Sequence, residues 1–422
     1  MAPEDAATGA RPGWGAWVAA RCAELEAQDR WRAPRPFDAR GPEGTLGGDA
    51  GDGGRPDVVA FASNDYLGLS AHPAVVAAAH EALDRWGAGA GASRLVTGSR
   101  PVHHELEAAL AAHWGCERAV VFPTGFAANL GVLGTFGEAG VRICSDELNH
   151  ASIVDGARLA RAEVRVYRHG DVEHLEALLA GAPGRAVVVS DLVFSMDGDV
   201  APVAGLARAC RRHDALLVLD EAHAVLGPDP TPHLEGVAAV RVGTLSKTLG
   251  ALGGFVAGPA PFVELVVNRA RSYIFTTALT PPDAAAALAA VRLLDTDEGA
   301  ALRARLAAHV AHLAPGHPSP IVPVVLGSEA RAVAASELLR RRGIWVPAIR
   351  PPTVPPGTAR LRVSLSAAHT AEQVTRLGRA LAQVRAGFGT DGPGPGAAPL
   401  SAVGATVPSA VGATVPSAVG AQ

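Results

Sequence analysis

The region from residue 216 to residue 254 contains the residue types needed for covalent catalysis. The sequence "VLDEAHAVLG" places Asp220 at the end of an apolar run and His223 three residues later. The sequence "RVGTLSKTLGALGG" adds Lys247, the single lysine of a chain in which lysine and arginine together number 37. A desolvated lysine can lose its proton and form a Schiff base with a carbonyl, whereas arginine stays protonated. Chance loss of lysine at other positions would also leave a single lysine, so the residues around Lys247 must decide whether it has a catalytic role.

Further candidate residues come directly after other apolar runs. Thr124, Gly125 and Phe126 in "VFPTGFAAN" join a predicted strand to a predicted helix. The free backbone N–H groups of such a helix start can bind a phosphate, aided by the helix dipole. Thr244 adds a hydroxyl donor, and His150 in "SDELNHASIVDG" opens another predicted helix. Each feature alone is more often a simple turn or helix cap, so only their combination is informative.

One cofactor, pyridoxal phosphate, would use all of these side chains. A buried carboxylate such as Asp220 can pair with a pyridinium nitrogen and keep it protonated. His223 and Ser195 can hydrogen-bond a phenolic oxygen, and His150 can stack on an aromatic ring. Lys247 can bind an aldehyde covalently. The combination therefore predicts a pyridoxal-phosphate site.

The tetrapeptide "DEAH" raises a second class, because it also occurs in the metal-binding motif of nucleic-acid helicases. That class needs a preceding phosphate-binding loop of the form G-x-x-x-x-G-K-[ST]. Here the single lysine follows the tetrapeptide and is preceded by Ser246, so the sequence has no such loop. A net charge of -4 and a pI of about 6.4 give no basic surface for nucleic acid either.

The elements around these residues alternate between short apolar runs and amphipathic segments. Apolar runs such as "AVVF", "VRICS", "AVVVSDLVF" and "ALLVLD" predict strands, and "FAANLGVLGTF" and "VAGLARACRRH" predict helices. This alternation indicates an α/β fold with a mostly parallel sheet and helices on both faces. Ligands of such folds bind at the carboxyl ends of the strands, where the candidate residues lie.

Length and composition favour a large globular protein of the cytoplasm. A chain of 422 residues with 48% hydrophobic residues suits two large domains or one large and one small domain. No apolar run reaches the ~18 residues of a membrane helix, and "MAPEDAATGARPGWG" lacks the apolar core of a signal peptide. The cysteines lack C-x-x-C spacing, so we expect reduced thiols and no metal site. They are Cys22, Cys116, Cys144 and Cys210.

Two segments have unusual composition. Residues 38–56 are glycine-rich and predict a loose loop or a poorly formed hairpin. The sequence "SAVGATVP" occurs twice in succession near the end of the chain, and we expect disorder from residue 389 onward. The predicted division of the chain is an N-terminal arm and glycine-rich loop over 1–60, a large cofactor-binding domain over 61–290, a small C-terminal domain over 291–388 and the tail over 389–422.

Between about residues 14 and 385, the chain resembles the α-oxoamine synthases. The segments that carry the resemblance are "FASNDYLGLSAHP", "GAGASRLVTGS", "HHELEAALAAHWG", "PTGFAANLGVL", "LNHASIVDGARLA", "FSMDGDVAPV", "VLDEAHAVLG", "TLSKTLGALGGF", "FTTALTPP" and "RLRVSLSAAHT". These enzymes use pyridoxal phosphate, have fold type I and condense an amino acid with an acyl thioester. The resemblance implies a mostly parallel sheet in a large domain, a smaller α+β C-terminal domain and a homodimer.

The segment "AIRPPTVPPGTARLR" (348–362) is similar to family members that join L-alanine to pimeloyl-CoA or a pimeloyl carrier protein. Members that use glycine or serine with another acyl-CoA are the alternative. A protein that keeps the cofactor fold only as a binding or regulatory module is a further alternative, and it would release no CoA.

The resemblance also implies a role for each candidate residue. Lys247, Asp220 and His150 match the catalytic residues. Lys247 also matches the lysine that binds the cofactor aldehyde, and Asp220 matches the partner of the pyridinium nitrogen. The other residues that match cofactor contacts are Gly125, Phe126, Ser195, His223, Thr244, Thr276 and Thr277, the last two reaching the phosphate of the neighbouring subunit. The residues that match substrate contacts are Arg30, Asn64, Thr353 and Arg362. The resemblance implies no metal.

Overall fold

The computed structural model describes residues 13–28, 30–47 and 57–389. The predicted disordered tail, apart from Gly389, and residues 48–56 of the glycine-rich segment lie outside the described residues. Within them, the helices are α1 (Trp14–Ala27), α2 (Pro73–Trp86), α3 (Pro101–His113), α4 (Gly125–Phe136), α5 (Ala151–Leu159), α6 (Val172–Ala180), α7 (Val203–His213), α8 (Ala260–Arg269), α9 (Arg271–Ile274), α10 (Pro281–Leu294), α11 (Asp297–Leu313), α12 (Glu329–Arg340) and α13 (Ala371–Phe388).

The strands form three sheets. They are β1 (Phe37–Ala39), β2 (Glu43–Leu46), β3 (Asp57–Ala60), β4 (Arg118–Phe122), β5 (Arg142–Asp146), β6 (Glu163–Tyr167), β7 (Ala186–Asp191), β8 (Leu216–Asp220), β9 (Ala239–Thr244), β10 (Gly254–Gly258), β11 (Ile321–Gly327), β12 (Ile344–Trp345), β13 (Ala348–Ile349) and β14 (Ala359–Ser364).

The central sheet has seven strands in the order β4-β10-β9-β8-β7-β5-β6. Strand β10 runs antiparallel to both of its neighbours, and the remaining pairs are parallel. Val187 and Val189 of β7 pack with α4, α5 and α8 on one face, while Val188 packs with α6 and α7 on the other. Burial on both faces explains why these strands are continuous apolar runs, and the predicted mostly parallel sheet is confirmed.

Two smaller sheets flank the central one. Strands β11, β14 and β13 form an antiparallel sheet that packs against α12. Strands β1 and β2 form a hairpin that continues into β3, and β3 pairs in parallel with β12. The glycine-rich segment therefore begins as an ordered hairpin rather than a loose loop. No helix within the described ranges combines the length and apolarity needed to cross a membrane.

Candidate active site

Three parallel strands end at one edge of a cavity of about 240 Å³. Strands β7, β8 and β9 end at Asp191, Asp220 and Thr244, and the register of β7 with β8 places Asp191 directly opposite Asp220. Helices α4 and α5 begin at the same edge. The cavity therefore lies at the carboxyl ends of the strands, as expected for a ligand site in this architecture.

Eight of the predicted catalytic and cofactor-binding residues line this cavity. They are Gly125, Phe126, His150, Ser195, Asp220, His223, Thr244 and Lys247. Residues that the sequence did not single out as site residues lie among them, including Asn129, Ser152, Asp191 and Ser246. The fold thus brings together residues from five separate segments of the sequence, 124–129, 150–152, 191–195, 220–223 and 243–247.

Lys247 is placed to act as an amine rather than as an ammonium group. Its Nζ lies 2.9 Å from Nε2 of His223. Burial lowers the pKa of Lys247, and the charge of Arg362 lowers it further, while Asp220 and Asp191 act in the opposite direction. A lysine with a lowered pKa is a better nucleophile and base near neutral pH.

The carboxylate of Asp220 is fixed from two sides. Nδ2 of Asn129 donates a hydrogen bond of 2.6 Å to it, and the backbone N–H of Ala222 donates one of 2.9 Å. Asp220 is only 6% exposed. A buried, hydrogen-bonded carboxylate that opens on a cavity is suited to hold a cationic nitrogen of a ligand.

A second carboxylate, Asp191, lies beside Asp220 and accepts a hydrogen bond of 3.0 Å from the backbone N–H of His150. Burial raises the pKa of Asp191 well above its usual value, and the neighbouring charge of Asp220 raises it further. Two adjacent carboxylates do not both ionise readily, and Asp191 is the member of the pair whose burial favours the protonated form.

His150 caps α5 and faces the cavity. Its Nδ1 lies 2.8 Å from Oγ of Ser152, and its ring meets that of Phe126 edge to face with centroids 6.4 Å apart. Burial lowers the pKa of His150, the charge of Asp220 opposes this, and Lys247 adds to the lowering. The neutral ring is therefore available to stack on an aromatic ligand.

The start of α4 forms a cradle suited to a phosphate. The side chain of Thr124 accepts a hydrogen bond from Ala127, while the N–H groups of Gly125 and Phe126 lie in the first turn, where a helix offers no internal acceptor. A Cβ on Gly125 would lie 3.1 Å from Cβ of Thr244, and one on Gly254 would lie 2.5 Å from the Gly125 nitrogen. Glycine at both positions keeps the backbone close enough to bind an anion.

These groups match the parts of pyridoxal phosphate: an amine for the aldehyde, a carboxylate for the ring nitrogen, a flat imidazole for the ring and helix N–H groups for the phosphate. The chemistry of the donors therefore fits this cofactor.

Arg362 lies beside the cavity with its guanidinium held in place. Its Nε donates 2.5 Å to the carbonyl of Ser195, and its Nη1 donates 2.8 Å to Oγ of Ser364. Its Nη2 donates 3.2 Å to Oδ1 of Asn64. The structure therefore brings together Asn64, Ser195 and Arg362, which are three predicted contacts from distant parts of the chain.

Six predicted residues do not line the cavity of this chain: Asn64 and Arg362, which lie beside it, and four others. Arg30 follows α1 and donates to Oε1 of Gln28 at 3.0 Å, and Thr353 lies in an exposed turn. Thr276 and Thr277 follow α9, also outside the cavity lining. The role expected for these two threonines was in a neighbouring subunit and stays a prediction.

Sequence reasoning missed several residues of the site. Asp191 ends an apolar run just as Asp220 does, so the same strand-end rule could have identified it. Asn129 follows Gly125 by one helical turn, and helical periodicity could have placed it on the cavity face. Tyr66 contacts His223 across 157 residues of sequence, and no local pattern predicts such a contact.

Together, the fold and the site define a pyridoxal-phosphate enzyme of fold type I. Residues 56–381 match the model of the aminotransferase class I and II family, and the chain belongs to that family. Among solved structures it is similar to a serine palmitoyltransferase from S. paucimobilis with bound PLP-myriocin. That pair has a TM-score of 0.82 and 31% identity, covering 90% of this chain and all of the other.

Curated relatives include an 8-amino-7-oxononanoate synthase from Anaeromyxobacter dehalogenans, 50% identical over 87% of this chain and 95% of that protein. Another protein of the same name, from Methylobacterium sp., is 51% identical over 77% of this chain and 86% of that protein. A solved 8-amino-7-oxononanoate synthase from Francisella tularensis has a TM-score of 0.66 and 27% identity, covering 78% and 97%. The resemblance to the α-oxoamine synthases and the predicted cofactor and fold class are confirmed.

Proposed function

We propose that this chain condenses L-alanine with a pimeloyl thioester, with release of CoA and CO₂, to form 8-amino-7-oxononanoate for biotin biosynthesis. The supporting observation is 50% identity to an 8-amino-7-oxononanoate synthase across 95% of that protein. The name of the product explains the substrates. Its terminal methyl and amino-bearing carbons are those of alanine without its carboxyl group, and the remaining seven carbons form a pimeloyl group.

The residues of the cavity supply the groups that this reaction needs. Bound pyridoxal phosphate withdraws electrons from the amino-acid Cα, so that a bond to Cα can break. Lys247 would bind the cofactor aldehyde until the amino group of the substrate displaces it, and its freed Nζ, whose pKa is lowered, would then take the Cα proton. Asp220 keeps the ring nitrogen protonated by its charge. Arg362 binds the amino-acid carboxylate, and His150 stacks on the cofactor ring.

Serine is the main alternative to alanine as the amino acid. The serine palmitoyltransferase structure has the higher TM-score, 0.82 against 0.66. The TM-score measures the path of the backbone, which the family shares, whereas substrate choice depends on side chains. The 50% identity to the 8-amino-7-oxononanoate synthase, against 31% to the serine palmitoyltransferase, therefore favours alanine.

Single-turnover release of CoA tests the proposal. The holoenzyme is mixed with pimeloyl-CoA and L-alanine, glycine or L-serine, and free thiol is followed with time. We expect rapid release with L-alanine and slow release with the other two. The same reactions are run with palmitoyl-CoA in place of pimeloyl-CoA, and faster release with L-serine and palmitoyl-CoA would contradict the proposed substrates. Absence of release with every pair would favour a non-enzymatic binding module. A parallel reaction with pimeloyl carrier protein identifies the acyl donor.

We further propose a homodimer located in the cytoplasm. Helix α1 supports the dimer, because none of its residues is buried and two large apolar side chains are left open to a partner. Trp14 is 81% exposed and Trp17 is 45% exposed. The cysteines support the location, because all four are free thiols. Sedimentation of the purified chain would test the dimer, and a monomer at micromolar concentration would contradict it.

A further inference from the structure

A chain of hydrogen bonds leads from Lys247 away from the cavity to a buried tyrosine. Nζ of Lys247 lies 2.9 Å from Nε2 of His223, and Nδ1 of the same imidazole lies 2.6 Å from the hydroxyl of Tyr66. Tyr66 has no exposed surface. Its backbone is held as well, since its carbonyl accepts a hydrogen bond of 2.8 Å from Ala367. The phenol is therefore fixed against the far side of the imidazole.

The single O–H of Tyr66 has two acceptors within reach. Nδ1 of His223 lies at 2.6 Å and Oδ1 of Asn64 at 3.2 Å, and Oδ1 already accepts a hydrogen bond from Arg362. A neutral imidazole nitrogen is the more basic acceptor, and here it is also the nearer one. Burial raises the pKa of Tyr66 to about 12, so the phenol keeps its proton. The hydroxyl therefore donates to Nδ1.

Donation to Nδ1 fixes where His223 carries its own proton. Burial lowers the pKa of His223 well below its usual value, so the ring is neutral. A neutral imidazole that accepts at one nitrogen carries its hydrogen on the other. Nε2 therefore presents an N–H to Nζ of Lys247. An amine lone pair can accept this hydrogen, whereas an ammonium group has donors only and is disfavoured there.

We infer that Tyr66 is a positioning residue, which sets the tautomer of His223 and thereby keeps the amine of Lys247 unprotonated. This inference deepens the proposed function and rests on it for the role of the lysine. Other groups also act on the lysine charge, and all of them keep their side chains in Tyr66→Phe: Asp220, Asp191, Arg362, which also hydrogen-bonds the Tyr66 phenol, and His150.

The single lysine of this chain allows a direct test. The full-length protein is freed of cofactor, and the rate of reductive methylation of Lys247 is measured against pH by peptide mass spectrometry. In Tyr66→Phe, the imidazole can shift its proton to Nδ1 and accept from an ammonium group. We expect the midpoint to rise by about one pH unit, the size expected for one lost hydrogen bond in a buried site. An unchanged or lower midpoint would overturn the inference.

Tyr167→Phe is the matched control. Tyr167 is equally buried, ends β6 and belongs to the hydrophobic cluster on the α6 and α7 face of the sheet, outside the cavity lining. We expect its midpoint to equal that of the wild type. An equal shift in both variants would show a general effect of a lost phenol hydroxyl and would also overturn the inference.

A second measurement keeps the inference testable if Tyr66→Phe fails to fold. Biosynthetic replacement of tyrosine by 3-fluorotyrosine makes the phenols stronger donors and preserves their contacts. The midpoint of Lys247 should then move to lower pH, and a move to higher pH would contradict the inference. A sample incubated under the same conditions without the methylation reagents is then given pyridoxal phosphate. Rebinding of the cofactor shows that the protein stays folded. Because no acyl donor is present, failure here is separate from failure of the proposed condensation.

Discussion

The side-chain amide of Asn129 donates a hydrogen bond of 2.6 Å to the carboxylate of Asp220, which ends the neighbouring strand β8. The same Nδ2 also donates 2.9 Å to Oγ of Ser152. Asn129 thus joins the start of α4, which forms the phosphate cradle, to the carboxylate that would face the cofactor ring nitrogen. Its amide fixes the direction of the Asp220 carboxylate.

This contact predicts that kcat falls to different extents in two variants. Asp220→Ala removes the charge that holds the ring nitrogen protonated, and we expect kcat to fall about 100–1,000-fold. Asn129→Ala leaves the carboxylate with the hydrogen bond from Ala222, and we expect a loss of about fivefold, the effect of one hydrogen bond. Both are measured by steady-state kinetics at saturating cofactor. Equal losses in the two variants would contradict the separate roles.

Arg362 is expected to act mainly on the binding of the amino acid. Arg362→Lys keeps the charge but loses the planar fork that matches a carboxylate, so KM for the amino acid should rise roughly 10–100-fold with a smaller change in kcat. Arg360→Lys is the control, because Arg360 lies on the same strand and forms an ion pair with Asp197. A similar rise of KM in both variants would show that the strand, not the guanidinium fork, determines binding.

The contacts of His169 predict that the folding stability of the protein depends on pH. Its ring nitrogens lie 3.0 Å from Asp146 and 2.7 Å from Asp199, at the base of the turn that carries Ser195. Burial alone would lower the pKa of His169, but the hydrogen bonds with these two carboxylates raise it to about 10. The folded pKa lies above the ~6.5 of an unfolded chain. The stabilisation is therefore complete below about pH 6.5 and is lost as the pH rises toward 10.

Urea unfolding at a series of pH values measures this effect. At pH 6, His169→Gln should lose roughly 2–4 kcal/mol of unfolding free energy, and the difference from the wild type should shrink as the pH rises. His104→Gln is the control, since the His104 side chain is 67% exposed, and it should match the wild type throughout. A difference that stays constant up to pH 10 would rule out a charged His169.

The sheet could be predicted from the sequence because buried parallel strands leave a strong local pattern. Runs such as Ala186–Asp191 and Leu216–Asp220 are apolar up to the polar residues that end them, since both of their faces are covered. The same rule placed Asp220 and Thr244 at the ligand edge. The last three residues of "AVVVSDLVF" were wrongly included in the strand, which ends at Asp191 because the chain turns there toward Ser195. The predicted domain boundaries stay a prediction.

The rest of the site depends on contacts between distant segments. Tyr66 contacts His223 across 157 residues of sequence, and Arg362 contacts Asn64 across 298. Periodicity and spacing describe local structure, so they cannot predict such pairs. A resemblance located Asn64 and Arg362, but it assigned no role to the tyrosine between them.

Borohydride reduction of the purified holoenzyme tests most directly whether Lys247 holds the cofactor. Reduction makes the carbon–nitrogen bond between lysine and pyridoxal phosphate permanent, and peptide mass spectrometry then locates it. We expect the visible absorbance to disappear and the cofactor to be found on Lys247 alone, with Lys247→Arg showing neither the absorbance nor the label. A wild-type protein that stays colourless with added cofactor, or a label found only at the N-terminus, would contradict the central claim.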